Sequence, residues 1–162
     1  MASLLRTDKE IQELYDRHVD TVYRVCYSFM KNKPEAEDMV QETFLHLITS
    51  GKIFENERHE KAWLIVTASN LCKDTLKKWW RRNENLDDHA DILTDISQTD
   101  REVLDAVLAL PEDQKCVVYL YYYEGYTTQE IARHLKCPSA TVRSRLSRAR
   151  KQLSLMLGGK YR

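Results

Sequence analysis

Residues 127–153, TTQEIARHLKCPSATVRSRLSRARKQL, contain the strongest structural signal in the chain. Thr127 and Glu130 have the spacing of a capping box, which marks the start of a short helix. The tripeptide at 136–138 ends in proline and predicts a turn, and a longer helix is predicted from about residue 139 to residue 157. A short helix, a tight turn and a second helix together predict a helix-turn-helix, whose second helix can enter the major groove of DNA.

The second helix of this motif has two different faces. Four apolar residues are spaced to pack inward, namely Val142, Leu146, Ala149 and Leu153. The other face combines small hydroxyl side chains, which allow close approach, with basic side chains that bind phosphates or guanine edges. The candidate DNA-reading residues are Ser139, Thr141, Arg143, Ser144, Arg145, Arg148 and Lys151. A solvated basic face is the alternative, but residues 136–162 hold eight basic and no acidic side chains, which is unusual for a helix that is only solvated.

Charge is distributed unevenly along the 162 residues, although the net charge is zero. Residues 1–83 have 14 Lys/Arg and 13 Asp/Glu (+1), residues 84–105 have 1 and 8 (−7), and residues 106–162 have 10 and 4 (+6). A basic segment at one end is typical of a protein with a nucleic-acid partner. The acidic segment loses helical periodicity, so a flexible linker is predicted over 84–98.

The rest of the chain has helical apolar spacing. With 4 Gly and 3 Pro, long helices are favoured over repeated tight turns. Helices are predicted at about 8–30, 34–50, 60–82, 99–110 and 111–124. The predicted fold class is therefore all-α, with two small helical domains, 1–83 and 99–162, joined by the acidic linker. The helix-turn-helix belongs to the second domain.

The helix predicted at about 60–82 combines basic and aromatic residues. Its core side is predicted to hold Ile65, Ala68, Cys72, Leu76 and Trp79, and its opposite side Asn70, Asp74, Lys77 and Arg81. Five Lys/Arg side chains on about three turns suit phosphate binding. Aromatic rings beside them offer stacking surfaces for unpaired bases. Because Trp79 falls on the core side, Trp63 and Trp80 are the better stacking candidates.

Residues 36–44, AEDMVQETF, predict a second kind of surface. The exposed side of this helix is predicted to hold Asp38, Gln41, Glu42 and Leu45. Carboxylates and an amide around one apolar side chain suit a basic protein partner better than DNA. Taken alone, the same pattern also fits an acidic helix face that is merely solvated.

Three segments of the C-terminal half, LPEDQ at 110–114, YEGYTTQEIA at 123–132 and TVRSRLSRAR at 141–150, resemble a known family. They are similar to the domain of extracytoplasmic-function (ECF) sigma factors, in the sigma-70 family, that reads the −35 promoter element. Ala140 departs from the pattern, because the family commonly has glycine there. Alanine is the better helix former, so we expect a firmer helix start at this position.

The N-terminal half resembles the same family in the same order. The segment at 36–44 is similar to the docking signature for the polymerase clamp, and the segment at 54–82 to the part that reads and melts the −10 element. The resemblance implies −10 residues Asn70, Lys73, Lys77, Lys78, Trp80 and Arg81, with Asn70 lining a pocket for a flipped-out base. It also implies that the acidic linker threads into polymerase near the RNA path. The implied partners are core RNA polymerase, promoter DNA and an anti-sigma factor.

Two other classes of protein use parts of this pattern. A stand-alone helix-turn-helix regulator would use the same C-terminal helix, but it leaves the segment at 36–45 and the basic aromatic segment without a role. An enzyme such as a nuclease is disfavoured, because the five histidines are scattered and the sequence has no HExxH or CxxC motif. No cofactor or metal is predicted. The four cysteines are expected to be reduced thiols in a cytoplasmic protein with no apolar run long enough to span a bilayer.

Overall fold

The computed structural model describes residues 6–81, 102 and 106–158. The chain divides into two compact units, residues 1–88 and 89–162. Over the described residues the regular structure is helical, with no strand in either unit. The predicted all-α class is confirmed. The predicted linker at 84–98 and the helix start at Thr99 lie outside the described residues.

Helix α1 spans Asp8–Met30, the predicted range. It begins because the Thr7 hydroxyl accepts a hydrogen bond from the Glu10 amide at 3.1 Å, a standard N-cap contact. It ends at Lys31, whose φ of 64° is left-handed. Its buried residues are Leu14, His18, Thr21, Val22, Val25, Cys26, Phe29 and Met30. One long stripe of α1 therefore faces the core of the first unit.

Helix α2 spans Lys33–Ser50. The Asn32 side chain accepts from the Glu35 amide at 2.9 Å, and Pro34 occupies the first turn, where its missing N–H costs nothing. Gly51 ends the helix with a φ of 62°, as its position just past the last turn predicts. The four predicted core residues, Ala36, Val40, Phe44 and Leu47, are all buried.

Helix α3 spans Glu57–Arg81 and begins about one turn earlier than predicted. Asn56 is the reason, because its side-chain oxygen accepts from the His59 amide at 2.8 Å and its carbonyl accepts from the Glu60 amide at 3.1 Å. The predicted core side is buried at Ile65, Ala68, Cys72 and Leu76. The side chains of Trp79, Trp80 and Arg81 lie outside the described residues. Helices α1, α2 and α3 pack against one another in pairs.

The second unit contains helix α4 at Glu112–Val118, which continues into a π-helical segment at Tyr119–Tyr123. The sequence predicts an ordinary α-helix up to Glu124, and the structure differs from this prediction in its last turn, which is wider. The Glu124 amide donates to the Tyr119 carbonyl at 3.2 Å, five residues back. Gly125 follows with a φ of 72°. A π-helical turn holds one residue more than an α-helical turn, and in this unit it occurs where both Leu120 and Tyr126 are buried.

The predicted helix-turn-helix is present as α5, Thr128–Leu135, and α6, Ser139–Met156. Thr127 and Glu130 form the predicted capping box, with each side chain accepting from the other residue's amide. The turn closes at Lys136, with φ 56°, and the Cys137 amide donates to the Ala132 carbonyl at 3.1 Å. Val142, Leu146 and Ala149 are buried, whereas Leu153 is half-buried. The core of this unit thus fixes which side of α6 faces outward.

Candidate nucleic-acid and protein interfaces

The outward side of α6 presents the predicted DNA-reading residues, hereafter the reading face: Ser139, Thr141, Arg143, Ser144, Arg145, Arg148 and Lys151. Arg143, Ser144, Arg148 and Lys151 are exposed. Ser139, Thr141 and Arg145 are half-buried. The Arg143 guanidinium donates to the Ser139 hydroxyl at 3.0 Å, one helical turn back. All seven lie on one helix, with the four exposed side chains away from the buried stripe and the three half-buried side chains beside it.

Arg145 of the reading face and Arg150, which lies next to that face on α6, have partners within the unit. The Arg145 Nε lies 3.8 Å from an Asp113 carboxylate oxygen, and Asp113 is in the first turn of α4. Arg150 donates from Nε to the Tyr122 hydroxyl at 2.6 Å, and its guanidinium lies 5.9 Å from the Tyr121 ring centre. The sequence pattern holds no signal for either contact, because both depend on how α6 packs against the residues after Pro111.

A second basic surface lies on α3, at the described members of the predicted −10 set, Asn70, Lys73, Lys77 and Lys78, hereafter the melting face after that predicted role. Asn70, Lys77 and Lys78 are exposed and Lys73 is half-buried. Asn70, Lys73 and Lys77 recur at helical spacing, so they share one side of α3. That side is opposite to the buried Cys72 and Leu76. Trp80 and Arg81, which the sequence assigns to the same function, lie in the part of α3 whose side chains are not described.

An aromatic cluster joins the start of α3 to the loop before it. The Phe54 ring lies edge-on to Trp63, with centroids 5.7 Å apart, and perpendicular to His59 at 5.3 Å. Arg6 lies 5.7 Å from the Phe54 ring centre. Trp63 is half-buried in this cluster. Edge-to-face packing of this kind orders the loop next to α3.

The outward side of α2 presents the four residues predicted to contact a protein partner, Asp38, Gln41, Glu42 and Leu45, hereafter the docking face after that predicted role. All four side chains are exposed, and Leu45 retains 52% of its accessible surface. An exposed leucine among carboxylates is the arrangement expected for an apolar contact with a charged rim. The buried residues of α2 point the other way, so the packing of the first unit leaves the docking face free of that core.

A buried polar cluster, which sequence reasoning missed, ties α1 to α3. The same Glu60 oxygen accepts from His18 Nε2 at 2.7 Å and from Arg17 at 2.9 Å. The His18 side chain is 1% exposed and the Glu60 side chain 11%. The hydrogen bond to Glu60 raises the pKa of Arg17 above its ordinary value. This contact joins residues more than forty positions apart and helps to set where the first turn of α3 lies.

Comparison with known proteins assigns the family. Residues 14–82 match the model for sigma-70 region 2, and residues 100–153 match the model for sigma-70 region 4. The ECF RNA polymerase sigma-E factor of Haemophilus influenzae is 31% identical over 140 residues, covering 75% of this chain and 74% of that protein. The chain belongs to the ECF sigma factors of the sigma-70 family.

Other relatives of this ECF sigma factor agree in sequence and in fold. SigX of Bacillus subtilis is 26% identical over 160 residues, covering 90% of this chain and 82% of that protein. The sigma factor RpoE of Bartonella quintana, crystallised with the anti-sigma factor NepR, superposes with a TM-score of 0.74 at 23% identity. That match covers 94% of this chain and 99% of the RpoE chain and shows the shared fold.

The matched regions contain the three surfaces of this ECF sigma factor. Region 2 includes the docking face and the melting face, and region 4 includes α4, α5 and the reading face. Within the described residues no helix is long and apolar enough to cross a membrane. The same residues contain no group of three or more His, Cys, Asp or Glu side chains placed to hold a metal ion.

Proposed function

We propose that this sigma factor binds core RNA polymerase through α2 and directs it to promoters that it reads with α3 and α6. One observation supports this most strongly: a helix-turn-helix in the region 4 match presents an outward helix with basic and hydroxyl side chains and no carboxylate of its own. Phosphate and guanine edges are the ligands that such a surface binds. The sigma factor supplies recognition, and the chemistry of RNA synthesis belongs to the polymerase with its catalytic Mg²⁺.

On the reading face, residues near the start of α6 read bases of the −35 element. Arg143 and Ser144 are exposed in the first two turns, where a recognition helix meets base edges. Arg148 and Lys151 lie later in the helix and bind the DNA backbone, because a phosphate contact requires only a positive charge within reach. The division predicts base-specific effects for the first pair and sequence-independent effects for the second.

On the melting face, the lysines hold the strand near the −10 element while Asn70 receives a base that has left the stack. An exposed amide both donates and accepts, so it matches the hydrogen-bonding edge of an unpaired base. Lys73, Lys77 and Lys78 bind phosphates on either side. Trp80 and Arg81 are proposed to act in the same step, and their side chains lie outside the described residues.

The docking face binds a basic surface of core polymerase, and its charges set the orientation of the complex. An anti-sigma factor is a further partner; the RpoE structure with NepR supports this, since a sigma factor of the same fold forms such a complex. Because its partner polymerase transcribes the chromosome, the protein acts in the cytoplasm. A stand-alone regulator is not favoured, because it would leave the docking face and the melting face without a function.

Arginine and lysine substitutions on α6 test the assignment of the reading face. In the full-length protein bound to core polymerase, Arg143→Ala is expected to cost about 1–3 kcal/mol at one base pair of the upstream element, as for a lost guanine contact. Lys151→Ala is the matched control, and it is expected to weaken binding evenly across sequences. The measurement is selection from a randomised upstream element. An unaltered consensus with Arg143→Ala would remove Arg143 from base reading.

A further inference from the structure

The contact between Arg145 and Asp113 is the one place where a carboxylate approaches the reading face among the described residues. Arg145 Nε lies 3.8 Å from the Asp113 Oδ2 atom. The Arg145 side chain is 28% exposed and that of Asp113 is 46% exposed. Both groups are therefore accessible to a ligand on this side of the domain, although they lie on different helices.

The atoms that make this contact matter, because a guanidinium has two separate sets of donors. Asp113 approaches Nε, on the stem side of the planar group. The two terminal amino groups form the fork that binds the O6 and N7 atoms of guanine. At 3.8 Å the two groups attract each other as charges without a hydrogen bond, so the carboxylate draws the Nε side of the guanidinium towards α4 and leaves that fork available. The charge of Asp113 thus acts on Arg145 without occupying the donors that a base needs.

The negative charge of Asp113 also changes which ligand Arg145 prefers. A carboxylate within 4 Å of the guanidinium repels a phosphate that approaches the same group. A guanine edge carries no net charge and does not suffer this repulsion to the same extent. Arg143 and Arg148 on the same helix have no carboxylate within salt-bridge distance among the described residues. Among the described residues, Arg145 is therefore the arginine of the reading face at which a nearby carboxylate opposes phosphate binding.

We propose that Asp113 is a specificity-determining positioning residue for promoter reading. Its negative charge attracts Arg145 from the Nε side and repels phosphate, so that the terminal amino groups of Arg145 contact a guanine edge in preference to the DNA backbone. The inference rests on the proposed function of α6 and adds a residue from outside the helix-turn-helix to its reading surface. An ion pair at 3.8 Å between partly exposed side chains contributes little to folding, so Asp113 acts on recognition and not on stability.

Selection from a randomised upstream element, with the full-length protein bound to core polymerase, tests this role. The base pair that Arg145 reads is first identified as the position whose preference is lost in Arg145→Ala. Asp113→Asn is expected to reduce the preference at that base pair about fivefold, since a neutral amide neither attracts the guanidinium by charge nor repels phosphate. Binding to random-sequence DNA is expected to rise about twofold, because one negative charge is removed near the phosphates.

Two comparisons separate a positioning role from a general charge effect. Glu112→Gln removes a carboxylate from the same first turn of α4, without a salt-bridge contact to Arg145, and is expected to leave the preference unchanged. Combining Asp113→Asn with Arg145→Ala is expected to change the preference no further than Arg145→Ala alone. The thermal midpoint of Asp113→Asn is expected to match that of the parent protein.

The outcomes distinguish this inference from the proposed function. If Asp113→Asn selects the parent consensus with undiminished strength, or if its effect persists without Arg145, the positioning role is wrong. If Arg145→Ala itself leaves the consensus unchanged while Arg143→Ala alters it, the helix still reads DNA and the role of Asp113 is overturned alone. If neither arginine variant alters the consensus, both the role of Asp113 and the assignment of the reading face are wrong.

Discussion

Replacing Glu60 with alanine is expected to lower the free energy of unfolding of the first unit by about 3 kcal/mol. Glu60 is the shared acceptor for Arg17 and for His18, whose side chain is 1% exposed. Without the carboxylate, a buried imidazole nitrogen loses its partner and the contact between α1 and the first turn of α3 is lost. An orphaned buried polar group costs more than the hydrogen bond contributed.

Tryptophan fluorescence of the full-length protein reports on unfolding of the first unit. The three tryptophans of the chain, Trp63, Trp79 and Trp80, all lie in that unit. A loss of about 3 kcal/mol corresponds to a thermal midpoint lowered by roughly 12 °C or more in a domain of this size. Glu57→Ala, an exposed glutamate one turn earlier in α3, is the control and is expected to change stability by less than about 0.5 kcal/mol. Equal midpoints for the two variants would show that the buried cluster does not stabilise the unit.

Reversing two charges on the docking face is expected to weaken binding to core polymerase about a hundredfold or more. Asp38→Lys and Glu42→Lys replace attraction with repulsion towards a basic surface at two positions of one helix face. Both side chains are exposed, so the fold of the first unit is expected to be retained. The loss is therefore expected in the affinity for polymerase and not in the thermal midpoint.

A matched control exists on α1. Asp16→Lys with Asp20→Lys makes the same change of charge at the same spacing of four residues, on an exposed side of a different helix. Titration of labelled sigma factor with core polymerase measures both double variants against the parent protein. The docking assignment is contradicted if the α2 double variant binds core polymerase as tightly as the parent protein. A general effect of net charge is indicated if the α2 and α1 double variants are weakened equally.

The helices of this protein are largely predictable because local signals mark their ends. Thr127 with Glu130, Pro34 and Gly51 each mark a boundary through a contact or a backbone angle that involves only nearby residues. The apolar stripe on α6 then determines which side faces outward. That spacing alone predicts an exposed surface for Arg143, Ser144 and Arg148, and all three side chains are exposed.

The contacts between helices are not predictable in the same way. In the sequence, Glu60 is one of several charged residues near the start of α3, and nothing marks it as buried. Only the packing of α1 on α3 makes it a buried partner of His18. The Asp113 contact with Arg145 depends on the position of α4 beside α6. The π-helical turn at Tyr119–Tyr123 is missed because a run of tyrosines satisfies the spacing of an ordinary α-helix. Such features depend on tertiary packing, which a single sequence pattern does not encode.

Transcription reconstituted from purified core RNA polymerase, the full-length protein and a library of genomic fragments tests the central claim most directly. Core polymerase with this protein is expected to start at discrete positions that share an upstream and a downstream element, and core polymerase alone is not. The Asp38→Lys, Glu42→Lys double variant is expected to abolish these starts. Specific starts that appear only after a different sigma factor is added would show that the protein is a regulator acting on another holoenzyme, and would contradict the account.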